Sequence, residues 1–326
     1  MARRFKHTYL VGMIAALSAL FVSRGLGHQA PGSADALADV VVSGGPQEHA
    51  GVYLTPHFRV THTLDERAAV EVGQLLEALF ARYQRTCHDA GLLTHAPAKP
   101  LQWRFFDRVE EFRSCVRQEE SDLPLDEHAF YSSRSDSVAL LRAFRGPPAP
   151  EQRGLLGALD VRRISHEAAH QLAYNTGLQM RGVMYPFWIS EGLATSLETP
   201  RLEDGGLGRE NRERCQRLVE ARQHNRLCAF DDFITLTSTA GGDGRREDLY
   251  AEAWGAVCFL VNRDPAAFKR YLSLLAQRPH GQRPPGALRQ EFIAAFGPVE
   301  ELQPEWLRFL AGLSPVDTGS PSADRS

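Results

Sequence analysis

The chain has 326 residues, 43% hydrophobic and 24% charged, a balance that supports a sizeable core in one large domain or two small ones. The formal net charge is -3, and no Lys/Arg cluster sits beside aromatics, which argues against a nucleic-acid partner. Cys87, Cys115, Cys215, Cys228 and Cys258 form no C-x-x-C, so a zinc ribbon or thioredoxin-like site is unsupported. Their odd number leaves at least one thiol unpaired or intermolecular. Cys258, in the apolar run Ala256–Val261, is the expected buried free thiol.

Arg3, Arg4 and Lys6 form a basic n-region, Tyr9 to Val22 is apolar, and Gly25 and Gly27 follow as small residues. This pattern reads as a secretory signal over 1–27. The apolar stretch is shorter than the roughly 20 residues of a membrane span. Left uncleaved, it would act as an N-terminal membrane anchor. Both readings place the body outside the cytoplasm: periplasmic, secreted or associated with the cell envelope. Residues 28–50 read as a Gly/Pro-punctuated linker.

From there the pattern is mixed. His57–His62 alternates as a strand with Phe58 and Val60 on one face. Thr63 and Glu66 make a capping-box signature. Ala68, Ala69, Val72, Leu75, Leu76, Leu79, Phe80 and Tyr83 follow at helical spacing to about Cys87. A strand is predicted over 101–106, a short helix over 109–116, and strands over 130–132 and 137–144. After the turn-rich Gly146–Pro150, helices are predicted over 158–176, 187–199, 207–224, 247–263, 265–276, 287–296 and 304–312. Residues 313–326 read as a disordered tail. The whole is α+β: one domain over 51–312, with a mixed α/β part (51–150) whose small sheet lies beside a helical part (151–312).

Chemistry concentrates in Ile164-Ser165-His166-Glu167-Ala168-Ala169-His170-Gln171-Leu172. This is H-E-x-x-H. Residues four apart on a helix share a face, so His166 and His170 can present imidazole nitrogens to one ion, and zinc takes such ligands at about 2.0–2.1 Å. Glu167, rotated to the edge of that face, can act as a base on an attacking water. Ala168 and Ala169 suit burial against a core.

A catalytic zinc takes three protein ligands and keeps one open position. Pro186-Phe187-Trp188-Ile189-Ser190-Glu191-Gly192-Leu193-Ala194 supplies the third candidate. Pro186 suits a helix start, and Trp188, Leu193 and Leu197 can bury. Glu191 is then a carboxylate in an apolar helix, a placement that calls for a partner such as a cation. One zinc per chain, on His166, His170 and Glu191, is expected. The strand at 137–144 is either an edge that pairs with an extended peptide beside this helix or core sheet.

These paired segments, HEAAHQL (166–172) and WISEGLA (188–194), resemble those of gluzincin metallopeptidases, the branch of the zincins with H-E-x-x-H and a distal Glu. They look closest to exported bacterial relatives in the peptidase-MA-like superfamily. The outline covers 52–312, and its specific part is 164–199. The resemblance implies a strand–helix–strand–helix region before the zinc helix, a peptide or protein substrate, His166, His170 and Glu191 as ligands, and Glu167 as general base. It also implies an oxyanion-stabilising role for Tyr250, which falls at a similar chain distance to the family's tyrosine. A tyrosine merely opening the helix 250–263 is the alternative there. Twenty residues (171–190) separate His170 from Glu191, slightly more than the family's usual gap. No G-x-M-E-N-like segment is present, which sets this chain apart from aminopeptidases.

Gly241–Gly244 lacks a calcium loop's alternating acids and reads as a turn. Gly154–Gly157 lacks a P-loop Lys-Ser/Thr, and no G-x-S-x-G occurs. His128 reads as a solvated loop histidine near the cleft, and Arg162 and Arg163 as a solvated helix face. The function expected from sequence is that of an exported zinc metallopeptidase. The alternative is a non-catalytic, zinc-stabilised binding protein of the cell envelope.

Overall fold

Period-two burial sets the sheet. β2 (Phe58–His62) buries Phe58, Val60 and His62 and exposes Arg59, as a strand with one covered face does. It pairs antiparallel with β1 (Gly51–Leu54) and parallel with β3 (Leu101–Phe106). β3 pairs parallel with β5 (Ser137–Leu141), and β4 (Ala129–Ser132) closes the other side of β5 antiparallel. The order is β1-β2-β3-β5-β4. Tyr53, Val60, Trp103, Val138 and Tyr131 form one row across it. The computed structural model describes residues 51–63, 66–119, 128–142, 156–198, 206–239 and 245–313. The predicted signal, linker and turn at Gly241–Gly244 lie outside these residues, as do the tail from 314 and positions 64–65 of the predicted capping box.

Helices cover both faces of the sheet. Val138 and Leu140 join the main core with α1 (Glu66–Asp89) and α3 (Ala158–Asn175). Ala139 and Leu141 pack on the other side against Phe112, Cys115 and Val116 of α2 (Val109–Glu119). β5 is therefore buried along its whole length. This settles the open reading of 137–144: the strand is interior, and β4 is the edge beside it.

The second half is helical: α4 (Phe187–Leu197), α5 (Arg212–Gln223), α6 (Phe230–Phe233), α7 (Arg246–Arg263), α8 (Pro265–Ala276), α9 (Pro285–Phe296) and α10 (Val299–Gly312). The α+β division expected from sequence holds. α5 starts five residues later than the predicted 207, at a cap where Asn211 accepts from Arg214 N at 3.2 Å. α10 starts before Pro304, which it accommodates inside. β1 and the four-residue α6 are too short for a periodicity to register. None of the five cysteines is in a disulfide, and Cys258 is buried as expected. Burial pushes its thiol up to about 11. No helix among the described residues is long and apolar enough to cross a membrane.

Two contacts fix the elements that matter below. Gln171, fully buried on α3, accepts from Trp103 Nε1 at 2.8 Å and donates to the carbonyls of Gln102 (3.3 Å) and Asp136 (3.0 Å). Each such buried bond contributes about 1 kcal/mol net, and losing a partner costs more, so α3 has one seating on the sheet. Gly192 on α4 faces α7 so closely that a Cβ there would stand 2.5 Å from the Ala253 carbonyl oxygen and from Val257 Cγ2. The glycine lets the two helix backbones approach.

Candidate metal centre

The Gln171 anchor places His166 and His170, one turn apart on α3, toward α4. Glu191 meets them there. His166 Nε2 and His170 Nε2 lie 3.2 Å apart, and Glu191 Oε2 lies 3.2 Å from the first and 3.4 Å from the second. Donor atoms about 2.05 Å from one centre, at tetrahedral angles, are about 3.3 Å from each other. The triangle therefore has the size a zinc ion requires. Glu191 Oε2 is buried and faces both imidazole nitrogens, a carboxylate-plus-two-imidazole donor set of the kind that suits zinc. These three residues are also the one His/Cys/Asp/Glu group with metal-holding spacing among the described residues.

Electrostatics around the triangle follow from burial. Burial pushes the Glu191 carboxyl up, but the charge and hydrogen bonds of His170 and His166 outweigh it and hold it well below the usual range. Burial disfavours a charged His166, and its bonds to Glu191 and Glu198 overcome that and hold the imidazole well above its usual value. The site attracts positive charge strongly, whether proton or metal.

Glu198 was not singled out by sequence reasoning. Its Oε2 lies 3.2 Å from His166 Nδ1, on the side of the ring away from the donor triangle. Arg214 Nη2, on α5, donates to both Glu198 oxygens at 3.0 and 2.8 Å, and Arg214 Nη1 donates to Glu247 at 2.8 Å. Burial pushes Glu198 up, and His166 and Arg214 together bring it down to about 2. A carboxylate on the far nitrogen fixes the tautomer and orientation of a ligand histidine. The sequence held one signal for it: Glu198 follows Glu191 by seven residues, two helical turns along the same face.

The triangle opens on a cleft of about 560 Å³, which Glu167 and Tyr250 also line. Tyr250 stands on α7 with its ring 5.9 Å from that of His166 and 5.6 Å from that of Phe187. Its hydroxyl accepts from Arg246 Nη2 at 3.4 Å. Burial and then the Glu191 charge push the phenol above its usual value, so it keeps its proton at neutral pH and can donate. The structure thus brings together all five residues singled out from sequence. His128 is exposed, as expected, at the edge of the cleft. Arg162 and Arg163 depart from the expected solvated face: both are half-buried and line the cleft. They lie one turn before His166 and Glu167 and so share their side of the helix.

Residues 160–280 match the DUF1570 family, described as a protein of unknown function. The matched stretch takes in both motif segments, Glu198, Arg214 and Tyr250. No curated protein matches the chain.

Proposed function

We propose that the protein is an exported zinc metallopeptidase of the gluzincin type. The carrying observation is the donor triangle of His166, His170 and Glu191, sized for zinc and open toward the cleft that Glu167 and Tyr250 line. A bound zinc would act as a Lewis acid that acidifies water and polarises a carbonyl. Glu167 takes the proton of the attacking water and delivers it to the leaving amine. Tyr250 donates a hydrogen bond from its hydroxyl to the oxygen on which negative charge develops. Glu198, backed by Arg214, holds His166 in the tautomer that leaves Nε2 as the donor atom. β4 is the edge strand and Ala129, Phe130 and Tyr131 line the cleft, which suits an extended peptide pairing along that edge.

The test is digestion of a peptide library by purified protein, with and without chelator, with zinc measured on the same sample. Chelator-sensitive cleavage by protein carrying about one zinc per chain is the expected result. Full zinc occupancy in His166→Ala/His170→Ala would remove the ligand assignment. Zinc-replete protein that cleaves nothing would favour the non-catalytic binding role. Export is checked separately by N-terminal sequencing, expected to begin at about residues 24–32, where the apolar segment gives way to small residues.

A further inference from the structure

We propose that Arg181, in the connection between the two helices that carry the donor triangle, is a positioning residue: it straps the edge strand β4 to α3 and presents that edge, already ordered, to a substrate strand. This rests on the peptidase reading and names what holds its substrate-binding edge in place. β4 needs such a hold. It has four residues and, among the described residues, pairs only with β5. A strand this short gains little from its own ladder. Yet Ala129, Phe130 and Tyr131 form one wall of the cleft that His166, His170 and Glu191 also line. Backbone pairing with a substrate depends on that wall keeping its place beside the donor triangle, because a preordered edge spares the substrate the cost of ordering it.

The base of the strap is fixed on both sides of Arg181. Before it, Met180 N donates to the hydroxyl of buried Tyr185 at 2.8 Å. After it, the Gly182 carbonyl accepts from Gly281 N at 3.0 Å. From this base the guanidinium reaches β4 and the β4–β5 turn. Nη1 donates to Tyr131 Oη at 2.8 Å and to the Ser133 carbonyl at 3.0 Å, and Nη2 lies 2.7 Å from Asp136 Oδ1. Asp136 closes the turn with φ 55°, a left-handed conformation that few non-glycine residues adopt. α3 holds it there: Asn175 Nδ2 donates to Asp136 Oδ1 at 2.8 Å, and Gln171 Nε2 to its carbonyl at 3.0 Å. Tyr131 Oη donates to the same Oδ1 at 3.2 Å. The Tyr131 ring stacks on that of Tyr174, centroids 5.9 Å apart, and Tyr174 stands one turn beyond His170 on α3. Tyr131 thus ties the cleft wall to the histidine helix through its ring and to the strap through its hydroxyl. A planar guanidinium serves these acceptors together, whereas an ammonium lacks the fork. The twenty residues between His170 and Glu191 give the connection the length from which Arg181 reaches the turn.

The experiment compares zinc-loaded full-length parent with Arg181→Gln, Arg181→Lys and Tyr131→Phe. Amide hydrogen exchange is followed over β4 and α3. KM and kcat are measured on a decapeptide from the library digest and on a blocked tripeptide around the same scissile bond, with Ki read where the tripeptide is not cleaved. In Arg181→Gln, β4 amides should exchange about tenfold or more faster, with α3 exchange and zinc content as in the parent. KM for the decapeptide should rise about tenfold with kcat within about threefold, because substrate and transition state lose the same pairing. The tripeptide, too short to run along β4, should shift by less than about threefold. A merely structural role would instead lower zinc content and kcat for both substrates. Arg181→Lys should recover part of the loss. Tyr131→Phe keeps the ring on Tyr174 and should raise KM in the same direction, adding little to Arg181→Gln in the double variant. Unchanged β4 exchange, an unchanged decapeptide KM, or an equal shift for both substrates overturns the proposal. The exchange measurement needs no substrate. Faster β4 exchange in Arg181→Gln, in a protein whose parent cleaves nothing, would refute the peptidase reading and leave the strap standing. Chelator-sensitive cleavage with β4 exchange unchanged would do the reverse.

Discussion

Replacing Glu198 tests whether the histidine geometry depends on a residue that touches no metal. Its carboxylate lies 3.2 Å from His166 Nδ1 and accepts from Arg214 at 2.8 and 3.0 Å. Glu198→Ala removes the group that orients His166 and also strips Arg214, only 11% exposed, of its buried partner. Breaking a buried pair in this way costs about 3–5 kcal/mol of stability, toward the lower end here because Glu247 still pairs with Arg214. Glu198→Gln separates the two effects, since its amide oxygen still accepts from Nδ1–H but the charge is gone. Losing such a partner lowers metal affinity about 10- to 100-fold, or about 1.4–2.7 kcal/mol. We expect the Gln variant near the lower figure and the Ala variant near the upper. The assay is zinc titration of apo-protein against a chromophoric chelator, with thermal melts of the same samples. If both variants bind zinc within about threefold of the parent while His166→Ala loses it, Glu198 does not orient the ligand and the reasoning fails.

Three further outcomes are expected. Glu167→Gln should keep its zinc and lose about 10²–10⁴-fold in kcat, and a variant within tenfold of the parent would take the base role from Glu167. Tyr250→Phe keeps the ring against His166 and Phe187 and deletes the donor. Its kcat should fall about 10²–10³-fold with zinc content unchanged, and turnover within about threefold would place oxyanion stabilisation elsewhere. Glu252, 2% exposed on α7, is pushed up to about 8, chiefly by burial and further by Asp248, against a bond accepted from Cys228 N. Its folded value exceeds its unfolded one, so the stability linked to its proton is present at low pH and is lost as pH rises from about 4.5 to about 8. Glu252→Gln should therefore gain stability over the parent progressively across that window, on the order of a few kcal/mol at pH 8, and a melting difference independent of pH would refute the assignment.

How much of this was legible in the sequence depends on the range of the signal. The α3 and α4 motifs are local: a face repeated every four residues, or an acid within an apolar helix, is visible without tertiary structure. The helix periodicities were readable for the same reason. Whether 137–144 lay at the sheet's edge could not be read, because an interior strand and a half-buried edge strand can both be apolar, and strand order is set by crossovers. β4, with four residues, carries too little pattern to claim the edge.

The residues around the donor triangle show the same limit at closer range. Arg162 and Arg163 look like a solvated face when α3 is considered alone, since nothing local says that α5 and α7 bring Arg214 and Arg246 to the same cleft. Glu198 sits at the C-terminal end of α4, where an acid is unfavourable to the helix dipole and would otherwise be read as a residue leaving the helix. Its presence there makes sense only once His166 and Arg214 are in place to offset that cost. Acids set against local preference are therefore informative on this chain. Glu191 stands inside an apolar helix, Glu198 at the wrong helix end and Glu252 within the core. Two of them converge on one imidazole, His166. The third lies half a turn from Tyr250 on α7, the helix that presents the phenol to the cleft.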